Sequence, residues 1–239
     1  IGSAGFGADR QMEVPHRYIL GLYSMLEKLT SEFPNILFES CASGGGRFDP
    51  GMLYYMPQTW ASDNSDAIER LNIQYGTSLV YPIMTMGAHV SAVPNHQLRR
   101  VTSLDTRANV AIFGAFGYEL DLNTMDSYEK EVIKEQIKFY KENRSLIRTG
   151  DFYRLLSPFE SNETAWMVVS KDKTEVVIGY YQVLSKSNHG FKTLKLQGLD
   201  EEIEYFSVDS DKSFFGDELM NCGYKFGHDI FNELGHKNT

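Results

Sequence analysis

A chain of 239 residues, 42% of them hydrophobic, is long enough for one large domain, or one domain with a small appendage, around a sizeable core. A formal net charge of −9 argues against nucleic acid and anionic membrane surfaces as partners. Two cysteines far apart, Cys41 and Cys222, make no disulfide framework, so a reducing compartment, the cytoplasm, is the expected location.

The first residues, Ile1-Gly2-Ser3-Ala4-Gly5-Phe6-Gly7, read as a loop entered midway, which suggests a piece of a longer protein. From Pro15 to Glu32 the spacing predicts a helix with Tyr18, Leu22, Met25 and Leu29 on one face. Pro34 to Glu39 reads as a short buried strand. A glycine turn, Ser43-Gly44-Gly45-Gly46, follows it. A short helix is expected over Pro50 to Tyr55, then a strand end at Thr59-Trp60-Ala61-Ser62-Asp63. Asp66 to Tyr75 reads as a helix, Leu79 to Met86 as a strand, Leu98 to Asn109 as a helix and Val110 to Gly117 as a buried strand. The clearest helix runs from Ser127 to Ile147. Val132, Ile133, Gln136, Ile137, Tyr140, Leu146 and Ile147 line one side of it, and Gly150 is its expected stop.

Strands alternating with helices imply parallel pairing, with about four βα units before Gly150. A (β/α)8 barrel needs eight, and a doubly wound sheet accommodates four, so the count alone leaves both open. After Gly150 the texture becomes β-rich. Glu163 to Val169 and Glu175 to Tyr181 flank Lys171-Asp172-Lys173, a hairpin signal, and Phe191 to Leu196 and Ile203 to Val208 continue the pattern. No solenoid repeat and no low-complexity segment is present.

Three stretches carry chemistry. Phe38 to Asp49 holds a glycine triplet that allows close backbone approach to a ligand or simply a tight turn; no phosphate-loop Gly-Lys-Ser/Thr follows it. Trp60 to Asp66 places two carboxylates beside a ring at a strand end, where barrel enzymes keep their catalytic groups. Asp66, just before Ala67-Ile68-Glu69, reads as a helix cap, whereas Asp63 fits either a cap or a catalytic role. His89 and His96 stand seven apart in the third stretch. With no third His or Cys nearby, they read as groups that order a site rim and not as metal ligands. Cys222, His228 and His236 form no defensible nucleophile pair with Cys41. Aromatics are 13% of the chain; most are expected in the core, although rings also stack on sugars.

Together, Cys41 to Asp49, Pro57 to Asp63, Arg70 to Ser78, Gly87 to Ser91 and Pro94 to Gln97 resemble glycoside hydrolase family 36, the bacterial α-galactosidases, over nearly the whole chain. The resemblance implies an α/β fold: the C-terminal half of a (β/α)8 barrel over residues 1–150, followed by a small antiparallel β-sandwich domain over 151–239. It implies hydrolysis of terminal α-galactosides of the melibiose or raffinose type with retention of configuration, and neither metal nor cofactor. The family's acid/base aspartate falls on Asp63. Its galactose-contacting residues fall on Cys41, Ser43 and Gly44, and Trp60 shapes the pocket. Asp63 and Cys41 are expected to face one cleft.

The family's nucleophile is an aspartate in a Lys-Trp-Asp-x-Asn motif. That motif is absent from these 239 residues and is expected a few residues before Ile1. The chain alone is therefore expected to be inactive and to self-associate as a homo-oligomer. Rival readings are α-galactosyl transfer or α-N-acetylgalactosaminide cleavage on the same fold, or galactose binding without turnover.

Overall fold

The structure, a computed structural model, describes residues 2–184, 187, 190 and 192–226. The chain divides into two compact units, Ile1–Ala61 and Ser62–Thr239.

In the first unit, helix α1 (Glu13–Glu32) is followed by strand β1 (Glu39–Ser40), helix α2 (Pro50–Tyr55) and strand β2 (Gln58–Trp60). Asp49 caps α2 by accepting the Met52 amide at 2.9 Å, and Pro50 stands at the first helical position, where its missing N–H costs nothing. β1 pairs in parallel with β2, Glu39 opposite Gln58 and Ser40 opposite Thr59. Two expectations shift here. α1 buries Val14 and Leu26, while Tyr18 and Met25, expected on the core face, are exposed. The strand predicted over Pro34 to Glu39 shortens to its last residue plus Ser40, with Ile36 and Leu37 exposed. An apolar run was taken for a buried strand, but the backbone turns after α1 and reaches the sheet only at Glu39.

In the second unit, α3 (Ala67–Ser78), β3 (Met86–Ser91), α4 (Leu104–Ala111), β4 (Ala115–Glu119) and α5 (Ser127–Thr149) come first. β3 and β4 pair in parallel with α4 as the crossover, and α3 and α4 pack together over β3. Ala88, Val90, Ala108 and Ala111 form the dry seam between strand and helix. The strand expected over Leu79 to Met86 is displaced. Pro82 opens a 3-10 turn (Ile83–Thr85), and the strand proper begins at Met86. The strand expected from Val110 begins only at Ala115, because α4 runs on to Ala111. That helix is buried on more than one side, which erases the period that separates helix from strand. The helix expected from Leu98 begins at Leu104, where Ser103 caps it. α5 matches its predicted face, burying Ile133, Leu146 and Ile147. Gly150 ends it, but at φ −70°, not in the left-handed region. It is glycine because a Cβ would lie 2.6 Å from the Val169 carbonyl oxygen.

The parallel pattern ends there. β5 (Asp151–Leu156), β6 (Glu163–Val169) and β7 (Val176–Gln182) form an antiparallel sheet with β6 in the centre. β6 is buried on both faces. Ala165, Met167 and Val169 join a core with Leu194, Leu196, Leu199 and Leu219. On the α5 side, Trp166 packs against Phe113, Phe152 and Tyr181. Gly179, opposite Trp166, leaves room for that ring. Among the described residues, the layer across the leucine core is not a continuous sheet. Two antiparallel ribbons supply it, β8 (Thr193–Leu194) with β11 (Tyr224–Lys225) and β9 (Glu204–Ser207) with β10 (Lys212–Phe215), together with α6 (Gly216–Asn221). His228 and His236 lie outside the described residues.

Candidate active site

In the first unit, the turn after β1 carries Cys41, Ser43 and Gly44. Cys41 is an exposed free thiol. Ser43, Gly44 and Gly45 follow one another at φ 52°, 66° and 91°. A non-glycine residue in that run is uncommon, and Ser43 holds the strained conformation at the site the sequence singled out. The turn closes on itself through the Gly46 amide to the Ala42 carbonyl and the Phe48 amide to the Gly45 carbonyl. It also lies against the backbone after β2: a Cβ on Gly45 would stand 2.7 Å from the Ala61 carbonyl oxygen. The glycine triplet and the backbone of Ala61, the residue after the half-buried Trp60, are thus brought together within the first unit. Asp49 and Arg47 do not pair. Asp49 caps α2 and accepts from the Tyr23 hydroxyl, while Arg47 donates to the Tyr18 hydroxyl.

The second unit opens with Ser62 and Asp63, three residues beyond the end of β2. Asp63 is exposed. Every neighbour along its loop is tied down. The Ser62 hydroxyl accepts the Asn64 amide, and the Asn64 side chain accepts the Asp66 amide. The Asn95 side chain donates to the Ser65 hydroxyl at 3.3 Å. Asp66 is buried, caps α3 through the Ile68 and Glu69 amides, and pairs with Arg100. One carboxylate oxygen, Oδ2, takes both amides and the Arg100 guanidinium, as the cap reading expects. Asp63 takes no part in that cap and projects from a fixed loop.

Sequence reasoning passed over Arg70. Its side chain is on the buried face of α3 with Ala67, Leu71 and Gln74, and the residue is 3% exposed. One guanidinium nitrogen donates to the Ser62 carbonyl at 2.9 Å and another to the Gly87 carbonyl at 3.3 Å. Burial pulls its pKa down to about 10, against the charges of Glu119 and Asp63, so it stays cationic at neutral pH. The signal was available: an Arg and a Gln at helical spacing on an otherwise apolar face need buried partners. Arg107 repeats the device on α4, donating to the Ser91 carbonyl at 2.6 Å at the end of β3.

His89 lies on β3 with its Nδ1 3.6 Å from Glu119 Oε2, across a step where Gly117 leaves room for the ring. His96 is exposed on the following loop. Among the described residues, no group of three or more His, Cys, Asp or Glu side chains is placed to hold a metal ion, and no helix is long and apolar enough to cross a membrane.

The melibiase family model matches residues 1–150, and the model of the glycosyl hydrolase family 36 C-terminal domain matches residues 163–235. The chain is 58% identical to the α-galactosidase AgaA of Geobacillus stearothermophilus over 93% of its own length and 30% of that protein's. It is 50% identical to α-galactosidase 1 of Pediococcus pentosaceus, over 94% of its length and 31% of that protein's. A crystal structure of an AgaA variant in complex with raffinose superimposes with a TM-score of 0.91 at 56% identity, over 95% of this chain and 32% of that one. The α-galactosidase of Lactobacillus brevis gives 0.93 at 49% identity, over 98% and 32%. The fold is therefore the one expected, part of a (β/α)8 barrel followed by an antiparallel β domain. The chain spans about 30% of the length of the curated relatives it matches.

Proposed function

We propose that this chain, which belongs to the melibiase family, supplies the acid/base half of a retaining α-galactosidase site, with residues 1–150 in the barrel and 151–239 as the appended β domain. The substrate class is terminal α-galactosides of oligosaccharides such as raffinose. The reading is supported by relatives named α-galactosidases and by one of them having been crystallised with raffinose.

The observation that carries it is the contrast between two neighbouring carboxylates. Asp66 is consumed by its helix and Arg100, while Asp63 stands uncommitted to any cap on a loop pinned at Ser62, Ser65 and Asp66. A general acid needs a fixed position and a free oxygen. In this reading Asp63 protonates the departing glycosidic oxygen, and then, as carboxylate, takes a proton from the water that releases galactose. The attacking carboxylate comes from outside these residues, since the Lys-Trp-Asp-x-Asn motif is not among them. Cys41, Ser43 and Gly44 contact the sugar, and Trp60 walls its pocket. The free thiols of Cys41 and Cys222 fit a reducing, cytoplasmic setting.

The test grafts residues 2–226 in place of the matching segment of the Geobacillus stearothermophilus relative. Asp63→Asn in that host should lower kcat/KM on raffinose by about 10²–10⁴-fold. An aryl α-galactoside with a good leaving group should lose far less in its first step, because it departs without protonation. Equal losses on both substrates would remove Asp63 from the acid/base role.

A further inference from the structure

We infer that Arg70 is a positioning residue for Asp63: by bridging the Ser62 and Gly87 carbonyls it fixes the loop that carries the acid to strand β3. The inference rests on the acid/base reading of Asp63.

The geometry is specific to an arginine fork. One guanidinium reaches two backbone carbonyls from different elements: one immediately before Asp63, the other on β3. Gln74, one turn further along the same face, ties α3 to a single carbonyl, that of Val110, at 3.0 Å. What distinguishes position 70 is one charged fork that joins two carbonyls, one of them on the acid's own loop.

Two carboxylates act on that charge, Glu119 at the end of β4 first and Asp63 second. Of the other elements packed on α3, β3 contributes His89, which faces Glu119, and α4 turns Arg107 to the Ser91 carbonyl instead. An acid/base group must give and take a proton from one fixed position within a turnover, so the loop that carries it has to be held in place.

The test uses the grafted enzyme with Arg70→Met and Arg70→Lys. Arg70→Met removes the fork. Loosening of the loop should cut kcat on raffinose by about 10–100-fold with a smaller change on the activated aryl substrate. Arg70→Lys keeps the charge but not the fork, and kcat on raffinose should stay depressed with the same selectivity.

Losses equal on both substrates in Arg70→Met, or none on raffinose, would reduce Arg70 to a structural residue and overturn the inference. If Arg70→Met does not fold, Arg70→Lys decides alone: a selective loss on raffinose supports the inference and an unselective one ends it. Asp63→Asn in the same host separates the two ideas. If it shows no leaving-group dependence the acid/base reading fails, whereas if it does and the Arg70 variants do not, only the role of Arg70 fails.

Discussion

At the scale of single residues, the glycine turn shows how local backbone demands expose a site. Gly45 sits at φ 91°, and an added Cβ would stand 2.7 Å from the Ala61 carbonyl oxygen, backbone that cannot swing aside. Gly45→Ala should therefore cost about 1–3 kcal/mol of stability. In the grafted enzyme it should also raise KM for raffinose more than it lowers kcat, since the displaced neighbours Ser43 and Gly44 are read as sugar contacts and not as proton carriers. Thermal unfolding and steady-state kinetics on the one variant check both, and a KM left at the parent value would separate the turn from the sugar. The turn was legible in sequence because three consecutive glycines have few other uses. The split between Asp63 and Asp66 was legible only by half. A carboxylate before a helix is a cap by type, but which of two candidates captures the amides depends on loop geometry that Asn64 and Ser62 set. Arg70 was not legible as a site residue, because its partners are carbonyls, and every residue has one.

Elements whose two sides differ were found, and elements buried all round were misplaced. α5 keeps a charged face and an apolar one, so its register was read correctly. β6 and β7 were readable because a turn of distinct chemistry joins them. That turn makes a prediction of its own. The Asp172 carboxylate accepts from the Ser170 hydroxyl and from the Thr174 amide and hydroxyl, which together hold its pKa below the ordinary 3.8. A group whose pKa is depressed on folding stabilises above its unfolded value, and the stabilisation is lost as pH falls through the folded one. Protection of the Thr174 amide against hydrogen exchange, corrected for the intrinsic rate, should stay level from neutrality to about pH 4 and fall below it. In Asp172→Asn that acid-side fall should vanish; a fall of the same size in the variant would assign it to another group. By contrast, the segments around Leu79 and Val110 defeated the reading. Pro82 turns the first, and tertiary burial on several sides hides the helical period of the second.

In the proposed reading the polypeptide carries half of a two-carboxylate mechanism, and its surface is consistent with that. Among the described residues, β1 has no strand on the side away from β2, and β4 has none on the side away from β3. Ile36 and Leu37 lie exposed just before β1, with Phe33 close by. Open parallel edges beside exposed apolar side chains favour association. The polypeptide of residues 1–239 should sediment as species larger than its 27.2 kDa, and a single component of that mass at micromolar concentration would count against a homo-oligomer. Activity is the sharper question. Retention needs two carboxyl groups about 5–5.5 Å apart on opposite sides of the bond being broken. In the proposed reading Asp63 supplies one. Asp66 cannot supply the other, because it is buried and its Oδ2 holds the first turn of α3 and Arg100. Asp49 cannot either, because it caps α2 and accepts from Tyr23. Glu119 is engaged across β3 and β4 with His89 and lies in the field of Arg70. The polypeptide alone should therefore leave an aryl α-galactoside unhydrolysed, even one so activated that no acid is needed, because the missing group is the one that attacks. Adding a separately expressed segment of the Geobacillus stearothermophilus relative, covering what precedes the match, should restore hydrolysis, and Asp63→Asn in the polypeptide of residues 1–239 should then suppress turnover of raffinose. Turnover by residues 1–239 alone would place a nucleophile inside this sequence, and the division of labour between Asp63 and an external carboxylate would have to be abandoned.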